Sequence, residues 1–117
     1  MATELNTVTL SVATRAEVNV RALDAFAGKA QGNRISFASI DLLWQVAGPK
    51  RLEIVRAMTG AGGLSIREIA RRVGRDVKAV HGDVHALLDA GLLDRTPEGL
   101  VVFPYDAVRV EFDLLPA

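Results

Sequence analysis

Arg67, Arg71, Arg72, Arg75 and Lys78 fall within one short stretch of the chain. Guanidinium and ammonium groups at such spacing do one kind of chemistry well, which is to neutralise and hydrogen-bond phosphate oxygens. At about 100° per residue, Arg67 and Arg71 share an exposed helical stripe, Arg72 lies toward another side, and Arg75 falls in the turn that follows. His81 and His85 are four apart, a spacing that puts two imidazoles on one side of a helix and could hold a metal. Only Asp89, another turn along, offers a third ligand. His81 also projects beside Leu88 at the edge of an apolar stripe, so a partly packed histidine is the preferred reading and no metal is expected.

Enzyme chemistry finds little to use. The chain has no Cys, which removes thiolate nucleophiles and thiolate metal sites. Gly60, Gly62 and Gly63 lack the Lys-Ser/Thr ending of a phosphate-binding loop. Neither catalysis nor a cofactor is expected.

The elements that must position the basic residues can be read from period and punctuation. Ser65-Ile66-Arg67-Glu68 has the spacing of a capping box, in which hydroxyl and carboxylate satisfy orphan backbone donors reciprocally. Ile66, Ile69, Ala70 and Val73 then line one face of a short helix closed by Gly74. Asp76 is a good N-cap for a second helix, with Val77, Val80, Val84, Leu87 and Leu88 on its buried stripe and Gly91 at its end. Upstream, Pro49 suits the first turn of a helix carrying Leu52, Val55 and Met58. Ser39 offers an N-cap for another, short and apolar, in which Trp44 is expected in the core.

Strands frame these helices. Thr7 to Val12 alternate, with Val8, Leu10 and Val12 on one side. A capping box at Thr14 and Glu17 then predicts a helix to about Gly28, followed by a turn-rich stretch at Gly32 and Asn33. Leu92–Arg95 and Leu100–Phe103 flank Thr96-Pro97-Glu98-Gly99, which has the Pro and Gly positions of a type I turn, and so predict a hairpin. Val108, Val110, Phe112 and Leu114 alternate with Arg109, Glu111 and Asp113 as a final strand, while Tyr105 suits a strand corner.

Three helices with a tight turn before the last, then a hairpin, is the order of a winged helix-turn-helix. The expected fold is therefore α+β and mainly helical, with a winged helix-turn-helix over residues 37–117. Residues 1–36 are expected to form a strand–helix extension that pairs with the final strand or with another subunit.

Whole-chain charge argues the other way. The 117 residues carry 14 Lys plus Arg and 14 Asp plus Glu, a formal net charge of zero, which disfavours a nucleic-acid binder. The balance is uneven along the chain, however. From position 50 to 95, Lys50, Arg51, Arg56, Arg67, Arg71, Arg72, Arg75, Lys78 and Arg95 stand against Glu53, Glu68, Asp76, Asp83, Asp89 and Asp94, a net of +3, which leaves −3 elsewhere. DNA binding is thus permitted, with modest non-specific affinity and dependence on dimerisation and base contact. The apolar half of the composition contains no run approaching the ~18 residues of a membrane span, and the N-terminus has no signal-peptide pattern, so a cytoplasmic protein is expected.

On this reading Ser65, Lys78, Gly82 and His85 lie at a DNA surface, Arg67, Arg71, Arg72 and Arg75 hold phosphates, and Arg95 on the hairpin reaches the backbone or minor groove. Gly82 is the unusual member, because an exposed glycine inside a helix costs about 1 kcal/mol against alanine and implies close approach of something to the backbone. The small residues Ala79, Gly82 and Ala86 are alternatively a packing surface for another helix, and Asp83 would orient a neighbouring Arg or His.

The stretch SIREIARRVGRDVKAVHGDVHALLDAGLLDR, followed by EGLVVFPYDAVRVEF, resembles a family of small prokaryotic transcriptional regulators with a MarR-like winged helix-turn-helix, some of which stand beside toxin genes as antitoxins. That resemblance runs from about Phe37 to Phe112 and is most specific over Ile66–Leu93. It implies sequence-specific binding of double-stranded DNA as a homodimer, in transcriptional control or toxin–antitoxin autoregulation. Ser65–Val73 would be the positioning helix, Val77–Ala90 the recognition helix and Leu92–Phe103 the wing. The alternative is a protein-interaction module, an antitoxin or adaptor that uses the same scaffold to hold a small protein toxin with little DNA binding.

Overall fold

The computed structural model describes residues 5–12 and 33–114. The helix predicted from Thr14 to Gly28 and the turn residue Gly32 lie outside the described residues. The elements, in order, are β1 (Thr7–Val12), β2 (Asn33–Phe37), α1 (Ile40–Val46), α2 (Pro49–Met58), α3 (Ile66–Val73), α4 (Val77–Asp89), β3 (Asp94–Arg95), β4 (Val101–Val102) and β5 (Ala107–Glu111). The fold is α+β.

Alternation makes β1 the middle of a three-stranded sheet ordered β2-β1-β5, with both neighbours parallel to it. Leu10 stands between Ile35 and Val110, and Val8 and Leu10 are fully buried. A parallel central strand loses solvent on both faces, which accounts for the burial of Ser11 on the opposite side from Leu10. Asn33, expected in a turn, instead opens β2. Only Ile35 and Phe37 alternate there with polar residues, too weak a pattern in sequence, and the backbone partners supplied by β1 complete the strand. The final strand is shorter than its alternation implies, ending at Glu111, the last residue paired with β1. Phe112 turns instead to Trp44, edge-on with ring centroids 5.7 Å apart, and Leu114 is 81 % exposed.

The helices start where their caps say. Ser39 Oγ accepts from the Leu42 N–H at 3.2 Å, Pro49 occupies the first turn of α2, and Ser65 Oγ accepts from the Glu68 N–H at 3.1 Å. Gly74 closes α3 in the left-handed region at φ 67°, and the Asp76 carboxylate accepts from the N–H groups of Lys78 and Ala79. Two expected core positions are corrected. Trp44 is 45 % exposed, because a helix of seven residues turns only Leu43 fully inward and leaves its neighbours outside. Val77 is 44 % exposed at the first turn of α4, while Val80, Val84 and Leu87 carry the buried stripe.

A second, antiparallel sheet follows α4. Asp94 pairs with Val102 and Arg95 with Val101, and Val101 exchanges both backbone hydrogen bonds, at 2.8 Å each, with Leu64 just before α3. The hairpin is closed by the Gly99 N–H donating to the Thr96 carbonyl and the Thr96 N–H to the Leu100 carbonyl. Gly99 at φ 84° is the left-handed residue that ends a three-residue hairpin loop. Leu92 and Leu93, expected in the strand, belong to the core. One cluster joins Val8 and Leu10 of the first sheet to Leu43, Ile54, Met58, Ile69, Val84, Leu87 and Val101. Among the described residues no helix is long and apolar enough to cross a membrane.

Candidate nucleic-acid interface

The tight turn Gly74–Asp76 carries the chain from α3 into α4, and the two helices pack on each other. Buried Ile69 and Ala70 hold α3 by one side. Arg67, Arg71 and Arg72 are consequently left exposed. On α4, the buried Val80, Val84 and Leu87 leave Lys78, His81 and Gly82 exposed, with His85 half-buried. These four follow the i, i+3, i+4, i+7 spacing of one helix face. The half-buried His85 donates from Nδ1 to the His81 carbonyl at 2.9 Å, and the two rings stack at 4.1 Å. His81, expected to be partly packed, is exposed, since the buried stripe turns away from it. Among the described residues no group of three or more His, Cys, Asp or Glu side chains is placed to hold a metal ion.

Gly82 lies in the middle of this face, and a Cβ built on it would meet nothing within 4 Å. No neighbour within the described chain therefore requires a glycine there. Ala79 is exposed and Ala86 half-buried, so the small-residue strip continues along the helix.

The charges fall into three groups. Arg71 and Arg72 share the Glu68 carboxylate at 2.5 and 3.2 Å. Hydrogen bonds from Arg71, then Arg72, hold Glu68 below the usual carboxylate range, and the Glu68 bond raises Arg71 in turn. Two guanidiniums on one carboxylate still leave net positive charge, with the Arg71 side chain 76 % exposed. Arg67, Lys78 and Arg95 are exposed and, among the described residues, outside every ion pair. Arg95, on the hairpin, only grazes the Gly99 carbonyl at 3.5 Å.

Arg75 belongs to a different arrangement. Its Nη2 donates to Asp83 Oδ2 at 2.7 Å, and Arg51 Nε donates to Asp83 Oδ1 at 3.1 Å. Arg75 Nη1 is buried without a hydrogen-bond partner, and its side chain is only 19 % exposed. Arg75, expected to hold a phosphate, is thus placed with its guanidinium turned inward on Asp83, nearly two turns along α4. Burial alone would raise the Asp83 carboxyl, but the bonds from Arg75 and Arg51, with their charges, outweigh it and lower its pKa. Arg51 also donates to the Gln45 carbonyl, so one carboxylate connects α4 to α2, to the end of α1 and to the α3–α4 turn.

Arg51 had no signal in the sequence, being 32 positions from Asp83. The structure thus brings Ser65, Arg67, Arg71, Arg72, Lys78, Gly82 and Arg95 to exposed positions on α3, α4 and the hairpin, with His85 at the edge of that surface and Arg75 behind it. Such a surface can present cations to phosphates and an unobstructed helix backbone to a groove. A family model described as HVO_A0114 matches residues 46–110, from the end of α1 into β5. No curated protein and no solved structure matches the chain.

Proposed function

The chain belongs to the HVO_A0114 family, and we propose that it is a sequence-specific DNA-binding regulator of transcription, a dimer whose reading head is a winged helix-turn-helix. The observation that carries this reading is the open face of α4, where no neighbour among the described residues requires Gly82 to lack a side chain and Lys78 lies one turn before it. A recognition helix inserted in the major groove meets base edges with its N-terminal half. A glycine there lets the backbone approach more closely than any side chain would. Arg67 and the Arg71–Arg72 pair on α3 then lie against the phosphate backbone, with Ser65 at the start of that helix. Arg95 on the hairpin is the wing contact. Arg75 acts one step back, tying the α3–α4 turn to Asp83, the carboxylate through which Arg51 joins α4 to α2.

Salt dependence tests the assignment. Arg71→Ala is expected to weaken DNA binding on all sequences and to lower the slope of log K against log salt by about one, the signature of one lost phosphate contact. An unchanged slope would remove Arg71 from the interface. Gly82→Glu is expected to abolish binding to a selected duplex while the protein stays folded, because the new carboxylate projects into space that is empty in the free chain. Selection from a random duplex library supplies that duplex. A tight complex with another protein, together with no DNA affinity at low salt, would replace this reading by the protein-interaction one.

A further inference from the structure

We propose that β5 is the dimer interface, pairing antiparallel with β5 of a second copy about a two-fold axis through Val110, so that two three-stranded sheets become one. The inference deepens the dimeric part of the function proposed above and is independent of its DNA-binding part. β5 is an edge strand, bonded on one side to β1 and, among the described residues, to no strand on the other. An unbonded edge is a row of free N–H and C=O groups, and proteins usually blunt it with a proline, a bulge or an inward charge. Ala107–Glu111 has no proline, and its two charged residues stand on one face only, so the edge is open.

The sequence of the strand favours a copy of itself over other partners. In an antiparallel pair centred on Val110, each Arg109 stands opposite Glu111 of the second copy, giving two symmetric opposite-charge pairs on one face. On the other face, Val110 meets its own copy, and Val108 lies opposite Phe112, the first residue beyond β5, whose ring packs edge-on against Trp44 in the single chain. Both charged side chains are available, at 67 % and 46 % exposure; among the described residues they are joined only by a loose 3.8 Å contact to each other and by a 3.4 Å contact from Arg34 to Glu111. The opposite edge of the sheet lacks this property, since β2 has Arg34 and no acid.

The apolar ground beside β5 agrees. Leu52 and Val55 of α2, with Phe103, Ala107, Val108 and Val110, line a groove of about 270 Å³. In the proposed register Phe112 of the second copy arrives opposite Val108, on the apolar face of the sheet. Leu114, three residues beyond the end of β5, is 81 % exposed and lies at the same end. A groove lined by Ala107, Val108 and Val110 beside an open strand edge, with an exposed leucine just beyond the strand's end, suits a two-fold exchange.

Sedimentation equilibrium of the full chain without DNA tests the register. The wild type is expected at twice the 12.5 kDa of one chain. Arg109→Glu and Glu111→Arg, each of which sets like charges opposite one another, are expected to weaken the dimer about tenfold or more. An equimolar mixture of these two variants restores opposite charges at both positions and is expected to regain the dimer, as is the double variant. Hydrogen exchange on the wild type guards against variants that fail to fold, since amides of 107–111 should become slower to exchange as concentration rises. A wild type that stays monomeric at about 100 µM, single variants that dimerise like the wild type, or a mixture that stays monomeric would each overturn the proposal. None of these outcomes depends on whether the protein binds DNA.

Discussion

Gly82 and Asp83 are adjacent in the chain and do opposite things. Gly82 leaves the surface of α4 empty, whereas Asp83 faces inward and collects two arginines. The cost of a glycine inside a helix is about 1 kcal/mol relative to alanine. Gly82→Ala is therefore expected to raise stability by ~0.5–1 kcal/mol in urea unfolding, with nothing among the described residues for the added methyl group to strike. If the backbone at Gly82 approaches DNA, the same variant binds its selected duplex more weakly. A variant more stable and equally tight would show that the glycine has no contact role. The exposed glycine, the cation spacing on α3 and the caps at Ser65 and Asp76 were legible in the sequence because each is local. The inward turn of Arg75 was not, since it depends on a carboxylate reached only after α4 has docked.

Between elements, the Arg51–Asp83–Arg75 triad sets how α4 lies on α2 and on the turn that precedes it. Removing the carboxylate strands two guanidiniums, one of which already has a buried nitrogen without a partner. Asp83→Asn is expected to lower stability by about 2 kcal/mol, less than the ~3–5 kcal/mol of a fully buried pair because the side chains are partly solvated. The pH dependence follows from the direction of the shift. The Asp83 carboxyl is lowered in the folded chain, so its contribution is complete above the ordinary carboxylate pKa of about 4 and is lost as pH falls through the folded pKa. The stability gap between wild type and Asp83→Asn should be constant above about pH 5 and narrow under acid. A gap independent of pH down to about pH 2 would mean that the loss is one of packing and not of charge.

For the molecule as a whole, β1 is the element that the helical half depends on. Its Val8 and Leu10 sit in the same cluster as Leu43, Ile54 and Leu87, and it is the strand that holds β5 in place. Deleting residues 1–12 would remove every strand pairing of that sheet, since β2 and β5 are both bonded to β1, together with two fully buried side chains. Since burying one such side chain is worth roughly 1.5–3 kcal/mol against a net stability of ~5–15 kcal/mol, the shortened chain is expected to lose its cooperative thermal transition. A sharp, unshifted melt of residues 13–117, followed by circular dichroism, would instead make the helices and hairpin an independent unit.

By itself the sequence determined the types of most elements, the helix starts and the identity of the exposed cations. Period-two and period-3.6 patterns, Ser, Asp, Pro and Gly at helix ends, and a Pro-Glu-Gly turn all act over a few residues and need no distant partner. The tertiary structure decided what depends on which element lies beside which. Asn33–Phe37 is a strand because β1 offers its edge, Trp44 is outside because α1 is too short to bury it, and Arg75 is internal because Asp83 comes within 2.7 Å of it. Burial and ion pairing are properties of neighbours in space, and a local pattern constrains only neighbours in the chain.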